Sequence, residues 1–283
     1  MTEAIDIDAL RRWIGREETA EDVVTPELVR RFNATLDRAS GDLGSGSVAP
    51  PAIHWCLAPP VVPMSRLGRD GHPALGGFLP PVPLPRRMWA GGNVRHIAPI
   101  HISDTVQRQS IIADVTLKQG RTGPLCFVTV EHAFRVAEKT CVLERQDIVY
   151  RAAETAPAAS PATQPDMPAP QWSQSVDATD VLLFRYSALT FNGHRIHYDR
   201  RFCIETEGYP GLIVHGPLQA TLLITLATDV RNGIIPRAFA FRSTATLFDG
   251  ETFTVNATEG PAGLSLWTAD ASARPAMRAE ATW

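Results

Sequence analysis

A segment rich in Ala, Pro and Thr, AAETAPAASPATQPDMPAPQ at residues 152–171, is the sequence feature that most constrains the fold. Nothing in it recurs at a helix or strand period, which is typical of a linker between compact units. The parts on either side are similar in length, and each is long enough for a domain with its own core. We therefore predict an N-terminal unit at residues 1–151, a linker at residues 152–171 and a C-terminal unit at residues 172–283.

The first part shows helical patterning followed by strand patterning. In VVTPELVRRFNATLD, Thr25 stands before a proline as a helix N-cap, and Leu28, Phe32 and Leu36 recur at four-residue spacing on one face. Residues 5–40 are therefore predicted to be helical. The Pro- and Gly-rich residues 41–92 predict a loop, and HIAPIHISDTVQRQSIIADVTLKQ and GPLCFVTVEHAFRV predict antiparallel strands.

The second part repeats the order of a helix before a series of strands. VLLFRYSALT is interpreted as a strand, PLQATLLITLATDV as an apolar helix, and AFAFRSTATLF, GETFTVNATEG, GLSLWTADAS and AMRAEATW as strands. One helix followed by antiparallel strands indicates an α+β fold in which the sheet wraps the helix. The shared order in the two parts makes a duplicated unit plausible.

Composition limits the partners and the location. A formal net charge of -3 gives no general electrostatic reason to bind nucleic acid or an anionic membrane. The first residues lack the pattern of an export signal, and the apolar run at residues 218–227 is shorter than the roughly 20 residues that span a bilayer. We predict a cytoplasmic protein. The four scattered cysteines are predicted to be reduced core thiols: Cys56, Cys126, Cys141 and Cys203.

A dense polar cluster follows the apolar segment VLLFRYSALT. The stretch FNGHRIHYD contains Asn192, His194, His197 and Asp199, and Gly216 lies further along at a predicted helix start. A histidine can deprotonate water near neutral pH, and the free N–H groups at a helix start can hold an anionic oxygen. A general base and an oxyanion donor are what the addition of water to an unsaturated thioester requires.

The histidines of this stretch also suggest a metal site. His194 and His197 with Asp199 could be ligands, but a zinc site usually needs further ligands, and no cysteines or other acids stand nearby in the sequence. We therefore predict no metal and no cofactor. The remaining single histidines are predicted to be packed core residues: His54, His72, His101 and His132.

The stretch SALTFNGHRIHYD followed by GYPGLIVHGPLQATLL resembles the hydratase motif of the MaoC-like enoyl-thioester hydratases. The whole chain, including WIGREETAEDVVTPELVRRFNATLD, resembles their double-hotdog group, which contains mesaconyl-C4-CoA (3-methylfumaryl-CoA) hydratases, itaconyl-CoA hydratases and hydroxyacyl-thioester dehydratases type 2. The resemblance implies a double hotdog, with an antiparallel sheet wrapped around a central helix in each half. It also implies a catalytic C-terminal half and a non-catalytic N-terminal half that holds the acyl group, since the motif does not recur before residue 171.

The resemblance also implies roles for individual residues. The family motif, Asp-x-Asn-Pro-x-His-x-Asp, places its histidine at His197 and its catalytic aspartate at Asn192, and the N–H of Gly216 would bind the thioester oxygen. An amide cannot exchange a proton, although its carbonyl can orient a water. We therefore predict His197, Asn192 and Gly216 as catalytic residues, with His197 acting alone or with help from His194 or Asp199.

Substrate-binding residues are predicted less directly. Arg86, Arg87 and Arg95 flank the Pro- and Gly-rich region and suit coenzyme A phosphates or a substrate carboxylate, although solvated surface arginines fit the pattern equally well. The set predicted to bind substrate is His194, His215, Tyr209, Gly211, Arg86 and Arg95.

The activity implied by the resemblance is reversible hydration of a short branched or dicarboxylic enoyl-CoA, such as mesaconyl-C4-CoA or itaconyl-CoA. An acyl-CoA thioester is thus the predicted partner. Three alternatives stay open: a 3-hydroxyacyl-thioester dehydratase of fatty acid synthesis, a thioesterase, and a non-catalytic acyl-CoA-binding protein, the last because of Asn192. Pairing of sheet edges can occur within a two-unit chain, so a monomer and a homodimer both satisfy the pattern.

Overall fold

The structure is a computed structural model that describes residues 5–120, 123–152 and 167–283. Most of the predicted linker, at residues 153–166, lies outside the described residues. The strands on its two sides belong to one antiparallel sheet.

In the described ranges, the sheet contains five strands from each half of the chain. Those of the N-terminal half are β1 (Glu17–Val23), β2 (Arg86–His96), β3 (Thr105–Gly120), β4 (Gly123–Val136) and β5 (Lys139–Arg151). Those of the C-terminal half are β6 (Trp172–Asp177), β7 (Ala238–Ser243), β8 (Thr252–Gly260), β9 (Gly263–Ala269) and β10 (Pro275–Thr282). Their spatial order is β1-β3-β4-β5-β2-β7-β10-β9-β8-β6, so each half has the same strand order counted from its outer edge. This confirms the α+β fold and agrees with a duplicated unit.

The two halves meet at β2 and β7. These strands pair antiparallel, with Gly91 opposite Arg242 and Val94 opposite Phe239. One buried apolar cluster contains residues from both halves, including Val94 and Phe239. Backbone hydrogen bonds and a shared core therefore hold the halves in one arrangement, and residues of β2 lie close to the C-terminal half.

The helices in the described parts of the chain are α1 (Ile7–Arg11), α2 (Pro26–Thr35), α3 (Asp180–Leu189), α4 (Arg200–Glu205) and α5 (Gly216–Val230). The Oγ1 of Thr25 accepts the Leu28 N–H at 3.1 Å, which confirms the predicted N-cap, and Thr179 caps α3 in the same way. Helix α5 is largely buried and packs against the strands of the C-terminal half. None of these helices is long and apolar enough to cross a bilayer.

The central helix of the C-terminal half has no equally long counterpart in the N-terminal half. Residues 36–85 form only two short 3₁₀ turns, Ile53–Cys56 and Met64–Arg66. Ile53 and Cys56 are buried in the main core. The N-terminal half thus keeps the sheet and α2 but replaces the long helix with an irregular segment, and part of that segment reaches the C-terminal half.

Two local predictions were wrong. VLLFRYSALT forms most of α3 rather than a strand, because a short apolar run has no decisive period and Thr179 supplies a helix cap. Strand β1 lies inside the segment predicted to be helical. Strand β1 is an edge strand, because it pairs with β3 on one side and ends the sheet on the other. Edge strands tolerate charged side chains. The charges in EETAEDV therefore hide the alternation of apolar residues that would have indicated a strand.

The four cysteines are buried and free, which confirms the prediction of core thiols. Cys126 and Cys203 illustrate the cause of their inertness, because burial raises the pKa of their thiols to about 11 and about 12. Thiols with such pKa values remain protonated at neutral pH.

Candidate active site

His197 lies on a 3₁₀ turn, Arg195–His197, between α3 and α4. Its Nδ1 is 2.7 Å from the carbonyl oxygen of Ile213. Because a carbonyl only accepts, Nδ1 carries the hydrogen and Nε2 keeps its lone pair. Burial lowers the pKa of His197 to about 4, although the bond to Ile213 opposes this shift. At neutral pH the ring is an uncharged base with a defined tautomer.

His215 packs its ring against one face of the His197 ring. The two rings stack with centroids 3.6 Å apart and planes at 18°. The Nε2 of His215 bonds to the Oγ of Ser187 on α3 at 2.8 Å, and the residue has no exposed surface. The prediction that His215 touches substrate therefore needs correction, because its ring is enclosed behind His197.

The start of α5 lies directly after His215. The first backbone hydrogen bond of α5 runs from the Gln219 N–H to the His215 carbonyl oxygen, at 3.1 Å. The N–H groups of Gly216 and Leu218 precede it and make no bond along the helix, while Pro217 has no N–H. A side chain at Gly216 would place its Cβ 3.1 Å from a ring carbon of Trp89, on β2. Glycine therefore lets the helix start lie against the N-terminal half.

The polar residues beside His197 form hydrogen bonds with nearby backbone groups. The Oδ1 of Asn192 accepts the His194 N–H at 3.0 Å, so this carbonyl holds the turn. Asp199 accepts two bonds from Arg195, at 3.0 and 2.7 Å, and caps α4 through the Phe202 N–H at 2.9 Å. The carboxylate of Asp199 is thus engaged by Arg195 and by the start of α4, and its assistance to His197 stays a prediction.

His194 stands beside His197, as predicted for the site. The two rings are nearly perpendicular, with centroids 5.4 Å apart. His194 is buried, and burial lowers its pKa far below the ordinary value, with a further contribution from His72. Its ring nitrogens have no hydrogen-bond partner among the described residues. They are therefore free to contact a water or a bound molecule.

A loop of the N-terminal half, which contains Gly71 and His72, packs against the residues around His194. The ring of His72 lies 4.0 Å from that of His194, so the prediction that His72 is an ordinary core residue is wrong. Gly71 has a φ of +87°, and a Cβ there would lie 2.0 Å from the carbonyl oxygen of Gly193. The tripeptide Asp70-Gly71-His72 is the sequence signal for this contact, since it is a polar group inside a Pro- and Gly-rich region.

The remaining predicted substrate-binding residues lie in different places. Arg86 donates to the carbonyl of Glu207 and lies over the Tyr209 ring, 5.0 Å from its centroid, so Arg86 and Tyr209 contact each other. A Cβ at Gly211 would lie 2.6 Å from Asp249, which makes this glycine a packing requirement. Arg95 is exposed on β2, and no contact joins it to the site among the described residues.

Arg87 was not in the predicted substrate-binding set, although it stands next to Arg86. It is half-buried, and its charge lowers the pKa values of Asp70, His72 and His194. Within the described ranges no carboxylate lies within ion-pair distance of it. A half-buried guanidinium that interacts with Tyr150 but has no carboxylate at ion-pair distance in these ranges is well suited to bind an anionic group of a ligand.

One group of side chains has the dimensions of a metal site. Asp70, His72 and His194 each offer a ligand atom, and these atoms lie within 4.8 Å of one another. Asp70 and His72 already share a hydrogen bond of 2.8 Å, and the nearby charge of Arg87 repels a cation. The hydrogen bond accounts for the arrangement without a metal.

Comparison with known proteins identifies the family. The family model for hydroxyacyl-thioester dehydratase type 2 matches residues 52–249. The chain belongs to the hydroxyacyl-thioester dehydratase type 2 family. This family member is 46% identical over 238 residues to the mesaconyl-C(4)-CoA hydratase of Chloroflexus aurantiacus, with 84% of each protein covered. The chain is thus a hydro-lyase, as predicted.

Solved structures confirm the fold of this hydroxyacyl-thioester dehydratase type 2 family member. A MaoC-like dehydratase from Phytophthora capsici superposes with a TM-score of 0.68 at 13% identity, covering 98% of this chain and 99% of that one. A Mycobacterium tuberculosis protein with a double hotdog fold superposes with a TM-score of 0.58 at 12% identity and 94% coverage of each chain. The chain therefore has the predicted double hotdog fold.

Proposed function

We propose that the protein catalyses the reversible hydration of a short dicarboxylic or branched enoyl-CoA thioester, with mesaconyl-C4-CoA as the leading substrate. The observation that carries the proposal is the Nε2 of His197, which is unprotonated, unpartnered among the described residues, and held by Ile213 near the start of α5. The identity to the Chloroflexus aurantiacus hydratase supports the choice of acyl group.

The reaction follows from this arrangement. His197 Nε2 removes a proton from water as the water oxygen bonds to the β-carbon, and negative charge moves to the thioester oxygen. The Gly216 N–H at the positive end of α5 stabilises that oxygen. The protonated His197 then gives up this proton and the α-carbon gains one, so one water is consumed and no net proton is released. Dehydration is the same path in reverse.

The choice of a dicarboxylic acyl group rests on Arg87. A dicarboxylic acid joined to coenzyme A through one carboxyl group keeps the other as a free carboxylate. Arg87 offers a half-buried guanidinium beside His194 without a carboxylate partner in the described part of the chain. A forked guanidinium binds a carboxylate through two parallel hydrogen bonds, which favours this substrate class over a plain fatty acyl chain.

The test is an assay of mesaconyl-C4-CoA hydration, followed by the loss of enoyl absorbance, with His197→Ala as the variant. Removal of a general base is expected to lower kcat by about 10²- to 10⁴-fold. His101→Ala is the matched control, because the His101 side chain is 36% exposed and lies on a surface turn. Unchanged activity in His197→Ala would refute the assignment, and release of free thiol would indicate a thioesterase.

The coenzyme A thioester as partner belongs to this proposal. The cytoplasmic location and the choice between a monomer and a homodimer stay predictions from the sequence.

A further inference from the structure

Asp70 and His72 form a close polar pair beside His194 that the mechanism above does not use. The Oδ2 of Asp70 is 2.8 Å from the Nδ1 of His72, and its Oδ1 accepts the His72 backbone N–H at 3.1 Å. Burial favours the neutral acid, but the bonds from His72 and the charge of Arg87 outweigh it and lower the pKa of Asp70 to about 2. Asp70 is thus an ionised carboxylate, and the His72 Nδ1 carries a hydrogen.

The loop that carries this pair is fixed to the hydratase motif. The backbone N–H of Arg195 donates to the Asp70 carbonyl at 2.9 Å, and its guanidinium donates to the Arg69 carbonyl at 3.2 Å. The absence of a Cβ at Gly71 allows the contact with the Gly193 carbonyl. These backbone contacts set the position of the His72 ring against His194, although the residues are more than a hundred positions apart in sequence.

The chemistry creates a need for negative charge at this place. When His197 takes a proton from water it becomes a cation beside the rings of His194 and His215. The charge of Arg87 acts on the neighbouring His194 and disfavours further positive charge there. The polar motif residues Asn192 and Asp199 do not offset that charge. Asn192 is neutral, and the carboxylate of Asp199 is paired with Arg195. Within the described part of the chain, the motif itself therefore supplies no free carboxylate of the kind that a histidine base commonly uses.

We propose that Asp70 and His72 are positioning residues of the active site, with His72 holding His194 beside His197 and Asp70 offsetting the positive charge that the histidines carry during turnover. This inference rests on the proposed function and deepens it. The N-terminal half then contributes to the chemistry as well as to acyl binding.

The test compares two conservative variants in the same hydration assay. Asp70→Asn removes the charge but keeps the shape, and His72→Phe keeps a ring against His194 but removes the hydrogen-bond donor. Each is expected to lower kcat by at least about tenfold with little change in KM, because the charge is needed only as the proton moves. The double variant should be no slower than the slower single variant, since the two residues act as one unit.

The matched control is Asp104→Asn. Asp104 also lies beside a histidine of the N-terminal half, His101, at 3.5 Å, but away from the site. This variant should keep the wild-type kcat. Melting curves of all variants show whether each is folded, and if one fails to fold the other single variant gives the answer.

A purely structural role gives a different result. A packing role for the loop would leave kcat intact in both single variants, and that outcome would overturn the inference. An inactive His197→Ala would in that case leave the proposed function standing. Loss of wild-type activity in a chelator, restored by added Zn²⁺, would also overturn it, since Asp70, His72 and His194 would then act as ligands. A wild-type protein that hydrates no enoyl-CoA would refute the proposed function and this inference with it.

Discussion

At the scale of single residues, the site depends on which atoms the histidines leave free. His197 could be proposed as the base from FNGHRIHYD alone, because the motif places it at the family position. Its tautomer could not, because the Nδ1 partner is the backbone carbonyl of Ile213, which has no sequence signature. For the same reason the role of His215 was misassigned, since only packing shows that it lies behind His197.

Arg87 gives the sharpest test of substrate class. Arg87→Met is expected to raise KM for mesaconyl-C4-CoA by about tenfold or more, because a charge-assisted bond is worth about 1.5–3 kcal/mol. KM for crotonyl-CoA, which has no free carboxylate, should change little. Steady-state kinetics with both substrates measure the difference.

Arg95→Met is the control for this prediction, because Arg95 is an exposed arginine of the same strand. It should leave both KM values unchanged. Equal effects of Arg87→Met on the two substrates would show that Arg87 does not contact the carboxylate.

At the scale of secondary-structure elements, the start of α5 is the decisive feature. Its position could be predicted from Pro217 and the apolar run that follows, since proline is common in the first helical turn. VLLFRYSALT was predicted to be a strand but forms most of α3. The spacing of its apolar residues fits a strand and a helix equally well, so it could not distinguish them. Charge on β1 similarly concealed an edge strand.

The contact between α5 and Trp89 makes Gly216→Ala informative. The added Cβ would lie 3.1 Å from the Trp89 ring, so the ring or the helix start must shift by a few tenths of an ångström. We expect kcat to fall by about tenfold, less than the 10²- to 10³-fold for a deleted oxyanion donor, because the N–H remains.

Thermal stability should stay near the wild-type level in Gly216→Ala, since alanine favours a helix over glycine by about 1 kcal/mol. Gly77→Ala serves as the control, because its added Cβ would meet nothing closer than 3.7 Å. A large loss of melting temperature without a change in kcat would contradict the role assigned to the helix start.

At the scale of the whole molecule, buried neutral histidines occur in both halves. Burial lowers the pKa of His132 to about 3 and that of His197 to about 4, and it also lowers the pKa values of His54 and His215. In the unfolded chain each histidine titrates near 6.5, so the unfolded state binds more protons at mildly acidic pH.

The free energy of unfolding should therefore be highest above pH 6.5 and fall as the pH is lowered toward 4. Each such histidine contributes a slope of about 1.4 kcal/mol per pH unit in that window. Glu144 contributes a slope of the opposite sign, which offsets that of one histidine. Burial raises its pKa to about 7, so Glu144 binds a proton in the folded state over the same pH range. Urea titrations at several pH values measure the slope.

The variant His132→Gln tests the origin of this slope. It removes one buried histidine far from the proposed base and should reduce the slope by about 1.4 kcal/mol per pH unit. A free energy of unfolding that is flat or rises as the pH falls would contradict the assignment of neutral buried histidines.

The contacts between the halves mark the limit of what the sequence could predict. The division at residues 152–171, the α+β class and the double hotdog followed from patterning and resemblance. The approach of His72 and Arg87 to His194 did not, because it requires the pairing of β2 with β7 and the docking of a loop that has no periodic pattern. The prediction of a non-catalytic N-terminal half stays a prediction.

The pairing of β2 with β7 also affects how the enzyme responds to dilution. Trp89 on β2 packs against the helix start at Gly216, so the site needs both halves in contact. Because both strands belong to one chain, their encounter is intramolecular and its effective concentration does not depend on how much protein is present. Dilution should therefore not separate the two halves of the site, and the activity per molecule should stay constant. A site shared by two separate subunits would instead lose activity once dilution dissociates them.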